Sequence, residues 1–350
     1  MKVNKLRRYV TAASWLAAVL VLSLWGGCGR GRQELFTDGG KPIVWPEPPE
    51  QARIRYVGQM TGEEDLKREV SGVEALGRLI FGRKEVGVLR GPRAVALDEN
   101  ERLFVTDGSA AVVHVMDLRT REYVQFSRAG NQPLQSPVGV AAAGASVYVS
   151  DSVLGRVFVF DKAGKYRFAF GEEILQRPSG VAYCRKEQRL YVVDTKKNVV
   201  EMFDLRGGHA GSIGDKSPKG LRFPTFVWVD GQGRVYVSDT LNYCVQVFEA
   251  DGRFVRSIGE HGNRPGHFAH PCGIAVDSFG NIYVTDKQFE NVQIFNSEGQ
   301  ILMALGGEGH GPGEFWLPMG LFIDGRNRIF AADSFNKRVQ IFQFMEVQGQ

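Results

Sequence analysis

An aspartate that closes a Tyr-Val-Ser/Thr-like run returns six times along this chain, at Asp107, Asp151, Asp194, Asp239, Asp286 and Asp333. The steps between them are 44, 43, 45, 47 and 47 residues. A proline keeps the same beat at Pro92, Pro137, Pro178, Pro224, Pro271 and Pro318. No other feature constrains the fold so strongly. A self-similar period of this length means one supersecondary unit that cannot bury its own faces alone and must stack on its neighbours.

Each unit reads Pro-x-Gly-Val-Ala-Val-Asp, a turn, a run ending in the repeat aspartate, a turn, a third run such as "RVQIF", a turn, and a fourth such as "RFVRSIG". Apolar and polar residues alternate in these runs, so they are strands. Four short strands in about 45 residues define a β-propeller blade. The expected fold is therefore all-β, a six-bladed propeller with its repeats in 91–345. The sixth copy ends at "RVQIFQFMEVQGQ" with no fourth strand, which would leave an unpaired edge. "ARIRYVGQM", residues 52–60, has the alternation of the other fourth strands and is expected to complete that blade and close the ring. Between it and the first repeat, Thr61 and Glu64 fit a capping box. Leu66, Val70, Val73, Leu76 and Ile80 then recur at helical spacing, so 61–90 is expected to be a helical crossover. Residues 346–350 are left as a tail.

The repeats resemble NHL repeats, most closely from Pro224 to Phe342, and the likeness extends over about residues 90 to 345. The first copy departs furthest, with "PRAVALD" lacking the glycine and Val112 where that family often has arginine. "WPEPPEQARIRYVGQM" resembles the N-terminal part of bacterial six-bladed propeller lipoproteins. The resemblance implies a closed ring whose faces bind protein or, in some members, RNA or small ligands.

The N-terminus points to export. Lys2, Lys5, Arg7 and Arg8 precede an apolar run from Val10 to Trp25, followed by Gly26-Gly27-Cys28. Two small residues before a cysteine resemble the bacterial lipobox, although Trp25 stands where that pattern has leucine. Residues 1–27 are expected to be a lipoprotein signal peptide, Cys28 the lipidated residue, and 28–51 a polar tether, with Trp45-Pro46-Glu47-Pro48-Pro49 extended. An uncleaved membrane anchor is the alternative. Gly29 after Cys28 leaves an outer-membrane destination open. The formal net charge of +4 belongs to this leader, since without its four bases the chain has 39 basic and 39 acidic residues. No basic excess remains to drive nucleic-acid binding. Lipidation of Cys28 would leave Cys184, Cys244 and Cys272, an odd number that cannot all pair internally.

Where chemistry could reside follows from the repeat. Six carboxylates on a ring invite a cation, but each ends a second strand, one strand away from the axis. Asp at a hairpin accepts backbone N–H bonds, so a turn-forming role is expected. Arg156 and Arg338 stand five residues after Asp151 and Asp333 as cross-hairpin partners. The loops entering first strands and leaving second strands share one face, called here the entry face. At its central mouth lie the residues between each Pro and Gly: Arg93, Val138, Ser179, Thr225, Cys272 and Met319. They differ from blade to blade, as a specificity surface would. Arg264 and Trp316 lie on the same face. So do His261, His267, His270 and His310, of which His267, His270 and His310 are the weak candidates for a metal. "HGNRPGHFAHP" aligns with "EGHGPGEFWLP" one copy later, which makes it an entry loop rather than a ligand set.

Related propeller enzymes set the competing expectation. Calcium-dependent lactonases hold a cation at the channel centre with Asp, Glu and Asn oxygens, and NHL-like lyases use inner-strand histidines or a His–Glu pair. The mouth set here has no carboxylate or imidazole, and no Gly-x-Ser-x-Gly elbow is present. The sequence is thus read as an exported, lipid-anchored scaffold in the cell envelope. It is expected to be a monomeric ring without a cofactor, binding an extracytoplasmic protein and no nucleic acid. A channel-centred, metal-dependent hydrolase or lyase is the alternative.

Overall fold

The computed structural model describes residues 35–36, 42–66, 87–214 and 217–345. The leader, Cys28, residues 29–34 and 37–41 of the tether, residues 67–86 of the crossover, residues 215–216 and the tail 346–350 lie outside the described residues.

Six sheets are built from the six repeats. In blade one the strands are Pro92–Leu97, Arg102–Asp107, Val112–Asp117 and Tyr123–Phe126, paired in that order and antiparallel. Blades two to five repeat the order, with first strands Pro137–Ala143, Pro178–Cys184, Pro224–Val229 and Pro271–Val276. Blade six has Pro318–Ile323, Arg328–Asp333 and Arg338–Phe344, and its fourth strand is Ile54–Met60 from the other end of the repeat array. First strands touch the first strands of both neighbours around the full circle, blade six meeting blade one. The fold is therefore the all-β six-bladed propeller that the period demands. A ring closed by an N-terminal strand leaves no open seam between first and last blades.

The alternation does its work across this ring. Each middle strand is nearly dry, as in Val235–Asp239 and Ile282–Asp286, where every residue is buried. Fourth strands alternate, as in Ile301–Leu305, because one of their faces meets water. Among the largest buried side chains are Tyr191, Tyr283, Phe104, Phe158, Phe203 and Phe330, which fill the spaces between sheets.

Two elements differ from expectation. Residues 45–49 are not an extended tether. Val44–Trp45 is a fifth strand of blade six, paired with Ile54–Arg55, and the chain turns back where the Glu50 N–H reaches the Glu47 carbonyl at 3.2 Å. The cause is a place to bury the indole: Trp45 meets the Phe342 ring edge-on at 5.7 Å. After the closing strand, the described helical segment is a single 3-10 turn, Glu63–Leu66. Its cap is formed by Asp65 rather than Glu64. Asp65 Oδ2 accepts the Thr61 N–H at 2.5 Å, the Thr61 hydroxyl at 2.8 Å and the Gly62 N–H at 3.1 Å. The tighter turn brings residue 65, not residue 64, back over the first N–H groups.

Candidate functional site: the entry face

The six repeat aspartates each pair with the repeat proline across the first two strands, from Pro92↔Asp107 to Pro318↔Asp333. All six are fully buried. Their oxygens are taken up by hydrogen bonds, from backbone N–H groups in most blades and also from the side chains of Asn242 and Gln246 at Asp239 and of Asn336, Arg338 and Gln340 at Asp333. Asp286 accepts the N–H of Ala269 at 2.8 Å and of His270 at 2.9 Å from the entry loop, and of Gln288 at 2.9 Å and Phe289 at 3.2 Å from its own turn. Asp107, Asp151 and Asp194 hold both loops in the same way. Each carboxylate thus ties its entry loop to its hairpin turn, and few lone pairs remain to be offered to a cation.

The environments still differ. Burial alone would raise the Asp107 pKa, but His114 and the N–H groups of Arg90, Ala110 and Gly91 outweigh it and bring it down to about 2. At Asp239 and Asp333 burial prevails and the pKa is raised, despite several hydrogen bonds. Arg338 reaches Asp333 Oδ2 at 2.8 Å, making one of the two expected pairs. Arg156 does not reach Asp151. It turns outward to Glu172 at 2.5 Å and to the Leu154 carbonyl at 3.3 Å, because the Asp151 oxygens are already taken by four backbone N–H groups.

The channel mouth is more closed than a specificity surface would be. Ser179, Cys272 and Met319 are buried, Cys272 at 1 % exposure. The Ser179 hydroxyl donates to the Thr225 carbonyl at 2.9 Å and shares a bond of 2.8 Å with Thr195. The Thr225 hydroxyl is engaged with Thr240 at 2.9 Å. Cys272 Sγ lies 4.0 Å from Met319 Sδ. The Ser179 and Thr225 hydroxyls and the Cys272 thiol are thus engaged with neighbouring strands and loops, Thr225 remaining half-buried. Further down the axis the cavity is only about 140 Å³ and is lined by residues such as Val95, Ala141, Val181, Val227 and Trp228, with no carboxylate or imidazole. No side-chain carboxylate, imidazole or thiolate on these walls offers a metal a ligand.

The four entry-face histidines do not converge. His261 stacks on Tyr243 at 4.3 Å. His267 Nε2 lies 3.5 Å from Glu260, and His310 Nδ1 lies 2.7 Å from Asn336 Oδ1. Only His270 turns toward the central mouth, in a pocket of about 430 Å³ between blades five, six and one. Three or more His, Cys, Asp or Glu side chains able to share a metal occur nowhere among the described residues.

That pocket lies where three blades meet on the entry face. Arg93, His270 and Met319 from the expected set line it, and the structure adds Arg90, Lys287, Ser109, Leu317 and Phe335. The His270 pKa is lowered, first by burial and then by the charge of Lys287. Arg93 lies flat across Gly108, whose missing side chain gives it room: a Cβ there would sit 3.0 Å from Nε. Lys287 was legible in the sequence had the copies been aligned one place after the aspartate. There the other blades have Gly108, Ser152, Thr195, Thr240 and Ser334. Arg264 is exposed on a neighbouring loop. Trp316, 42 % exposed, stands edge-on to Phe335 at 5.2 Å and to His310 at 5.1 Å.

Comparisons with known proteins agree with this architecture. A family model described as a 6-bladed beta-propeller matches residues 226–286 and 278–348. No curated protein matches the sequence. Among solved structures, an auxiliary nutrient binding protein from Bacteroides thetaiotaomicron is similar with a TM-score of 0.59 and 13 % identity, over 75 % of this chain and 71 % of that one. Virginiamycin B lyase from Staphylococcus aureus gives 0.56 and 11 %, over 73 % and 96 %. A chain of a nidogen–laminin complex gives 0.54 and 18 %, over 71 % and 87 %. At these identities the likeness is one of fold. The same ring serves a lyase and binding proteins alike.

Proposed function

We propose that this chain is an exported, lipid-anchored six-bladed propeller of NHL type that works as a non-catalytic protein-binding scaffold in the cell envelope. The observation that carries the reading is the contrast between axis and entry face. The axis is a narrow channel with no carboxylate or imidazole on its walls, whereas the entry face presents a pocket of about 430 Å³ with exposed cationic and aromatic residues beside it. Loops on a rigid ring suit recognition, and Trp and Arg are the residue types that anchor interfaces. The binding proteins among its structural neighbours support the same reading by analogy of fold. The leader and Cys28 support the anchor, and the balanced charge beyond residue 27 favours a protein partner over nucleic acid.

The test is crosslinking of the full chain in its own membranes, with wild type compared against Arg264→Ala and Trp316→Ala. A partner adduct lost in these variants supports the scaffold. Unchanged adducts in both would move the binding surface elsewhere. Incorporation of labelled fatty acid that vanishes in Cys28→Ala supports the anchor, and incorporation that persists sinks it. One equivalent of a tightly held divalent ion in the purified chain would instead favour the hydrolase or lyase reading.

A further inference from the structure

The entry-face pocket gathers cationic side chains that no ion pair among the described residues takes up. Arg90, Arg93 and Lys287 reach it from blades one and five, and His270 stands among them. None of the three cations makes an ion pair among the described residues, and no carboxylate lines the cavity. Carboxylates do lie close behind it, but their oxygens are taken up by hydrogen bonds from the loops and from side chains away from the cavity. Asp107 holds the Arg90 and Gly91 N–H groups, Asp286 those of Ala269 and His270, and Asp333 that of Trp316, while Glu290 accepts the Leu317 N–H at 2.5 Å. Their oxygens face the loops, so the heads left open to the cavity are guanidinium, ammonium and imidazole.

The cations are also placed rather than scattered. Gly108 makes the bed in which Arg93 lies, and Lys287 replaces the glycine or small hydroxyl residue found at its position in the other five blades. The floor is apolar, from Met319, and one wall is Phe335, 53 % exposed. A ligand matching this cavity carries an oxyanion at one end and an apolar body beside it. Two guanidiniums suit the planar, two-oxygen geometry of a carboxylate, and the ammonium adds a point charge.

We infer that this pocket is an anion site that takes a carboxylate of an acidic peptide segment on the partner. The inference rests on the binding function proposed above. A protein source fits better than a free metabolite because the pocket opens beside Trp316 and Phe335, whose exposed rings extend the contact surface beyond the cavity. The chemistry recognised, a carboxylate, is common to both sources.

The experiment uses the purified full chain in detergent and a fluorescein-labelled hexaglutamate peptide, followed by fluorescence anisotropy. The expected result is saturable binding that weakens by about tenfold or more in Arg93→Met and in Lys287→Met, and that is unchanged in Lys337→Met, an exposed lysine on the same face outside the pocket. Both pocket variants keep the aliphatic stem, and their thermal midpoints report whether the ring is intact. Glutarate is the competitor. Displacement at concentrations like those of the peptide makes a free dicarboxylate the ligand, whereas much weaker displacement makes it the peptide; both uphold the anion site. Absence of binding up to millimolar peptide overturns the inference. Equal losses in Lys337→Met and the pocket variants do so too, since they would mean diffuse surface charge. If binding is absent while the crosslinked partner is still lost in Trp316→Ala, the anion site fails and the scaffold stands.

Discussion

At the scale of single residues, the repeat is a solution to the hydrogen-bond accounting of a crowded ring. Neighbouring first strands approach so closely that a Cβ on Gly273 would lie 2.1 Å from the Met319 carbonyl oxygen. The bulge this creates leaves an N–H and a carbonyl unpaired, and where the residue before the aspartate is Thr106, Ser150 or Thr285 its hydroxyl serves both. Thr285 accepts the Gly273 N–H at 2.7 Å and donates to the Met319 carbonyl of the next blade at 2.7 Å. Thr106 does the same for Ala94 and Val138. Where the position is Val193, a hydroxyl one place beyond the aspartate bonds the next blade, Thr195 to the Pro224 carbonyl at 2.8 Å. Thr285→Val should therefore cost about 1–3 kcal/mol, because it keeps the shape and leaves two buried groups unsatisfied. Chemical denaturation measures it, and a loss below a few tenths would show that the bulge is otherwise satisfied.

Acid gives a second residue-scale prediction. The Asp107 pKa in the fold, about 2, lies below its ordinary 3.8. Its stabilisation is therefore complete above pH 3.8 and is lost as pH falls through 2. The shift corresponds to about 2 kcal/mol. Asp107→Asn should lower stability at neutral pH and remove that share of the slope between pH 4 and 2, read as the difference between the two proteins' pH–stability curves. Parallel curves would mean that the carboxylate is not stabilised as its hydrogen bonds imply.

At the scale of elements, the ring is held by one seam, and Arg338 is its fastening. The residue is buried at 4 % exposure. Its guanidinium bonds Asp333 at 2.8 Å, Gln59 of the closing strand at 2.9 Å, and the carbonyls of His310, Gly311 and Glu314 at 3.0, 2.8 and 2.7 Å. One side chain thus joins the third strand, the entry loop and a strand nearly three hundred residues earlier in the chain. Arg338→Met should cost about 3–5 kcal/mol, since it strands the buried Asp333 without its charge partner. Arg156→Met, which removes the pair with the 66 %-exposed Glu172 and a bond to the Leu154 carbonyl of its own turn, should cost under about 1 kcal/mol. Equal effects would mean that the seam is not where the ring is weakest. The closing strand also contributes apolar anchors: Ile54 and Met60 are fully buried, and Ile54→Ala should cost about 2–5 kcal/mol.

At the scale of the whole molecule, six blades around an axis leave two kinds of surface. The axis is narrow and free of charged side chains; the entry face has long loops that vary from blade to blade. The thermal midpoint of the purified chain should not move on adding EDTA, because the axis lacks carboxylate and imidazole side chains and the repeat carboxylates are taken up by hydrogen bonds. A fall of several degrees would reveal a stabilising ion and reopen the metal-dependent alternative.

Most of the fold was legible because its cause is periodic. The strands, the six blades and the strand that seals the last one all follow from spacing and from the cost of an open edge. The aspartates were legible as loop residues for the same reason, since a role required in every blade repeats in every blade. Residues that act once left no such trace. Arg90 and Lys287 are far apart in sequence and meet only because blade five and blade one flank blade six. The burial of Ser179 and Cys272 was equally invisible, because how tightly first strands crowd the axis depends on all six together. Trp45 was read as part of a tether for want of any local sign that Phe342 would receive it. The chain by itself determined the ring, since alternation, turns and period are local. Only the tertiary structure decided which variable residues share a pocket, since that depends on how the blades close.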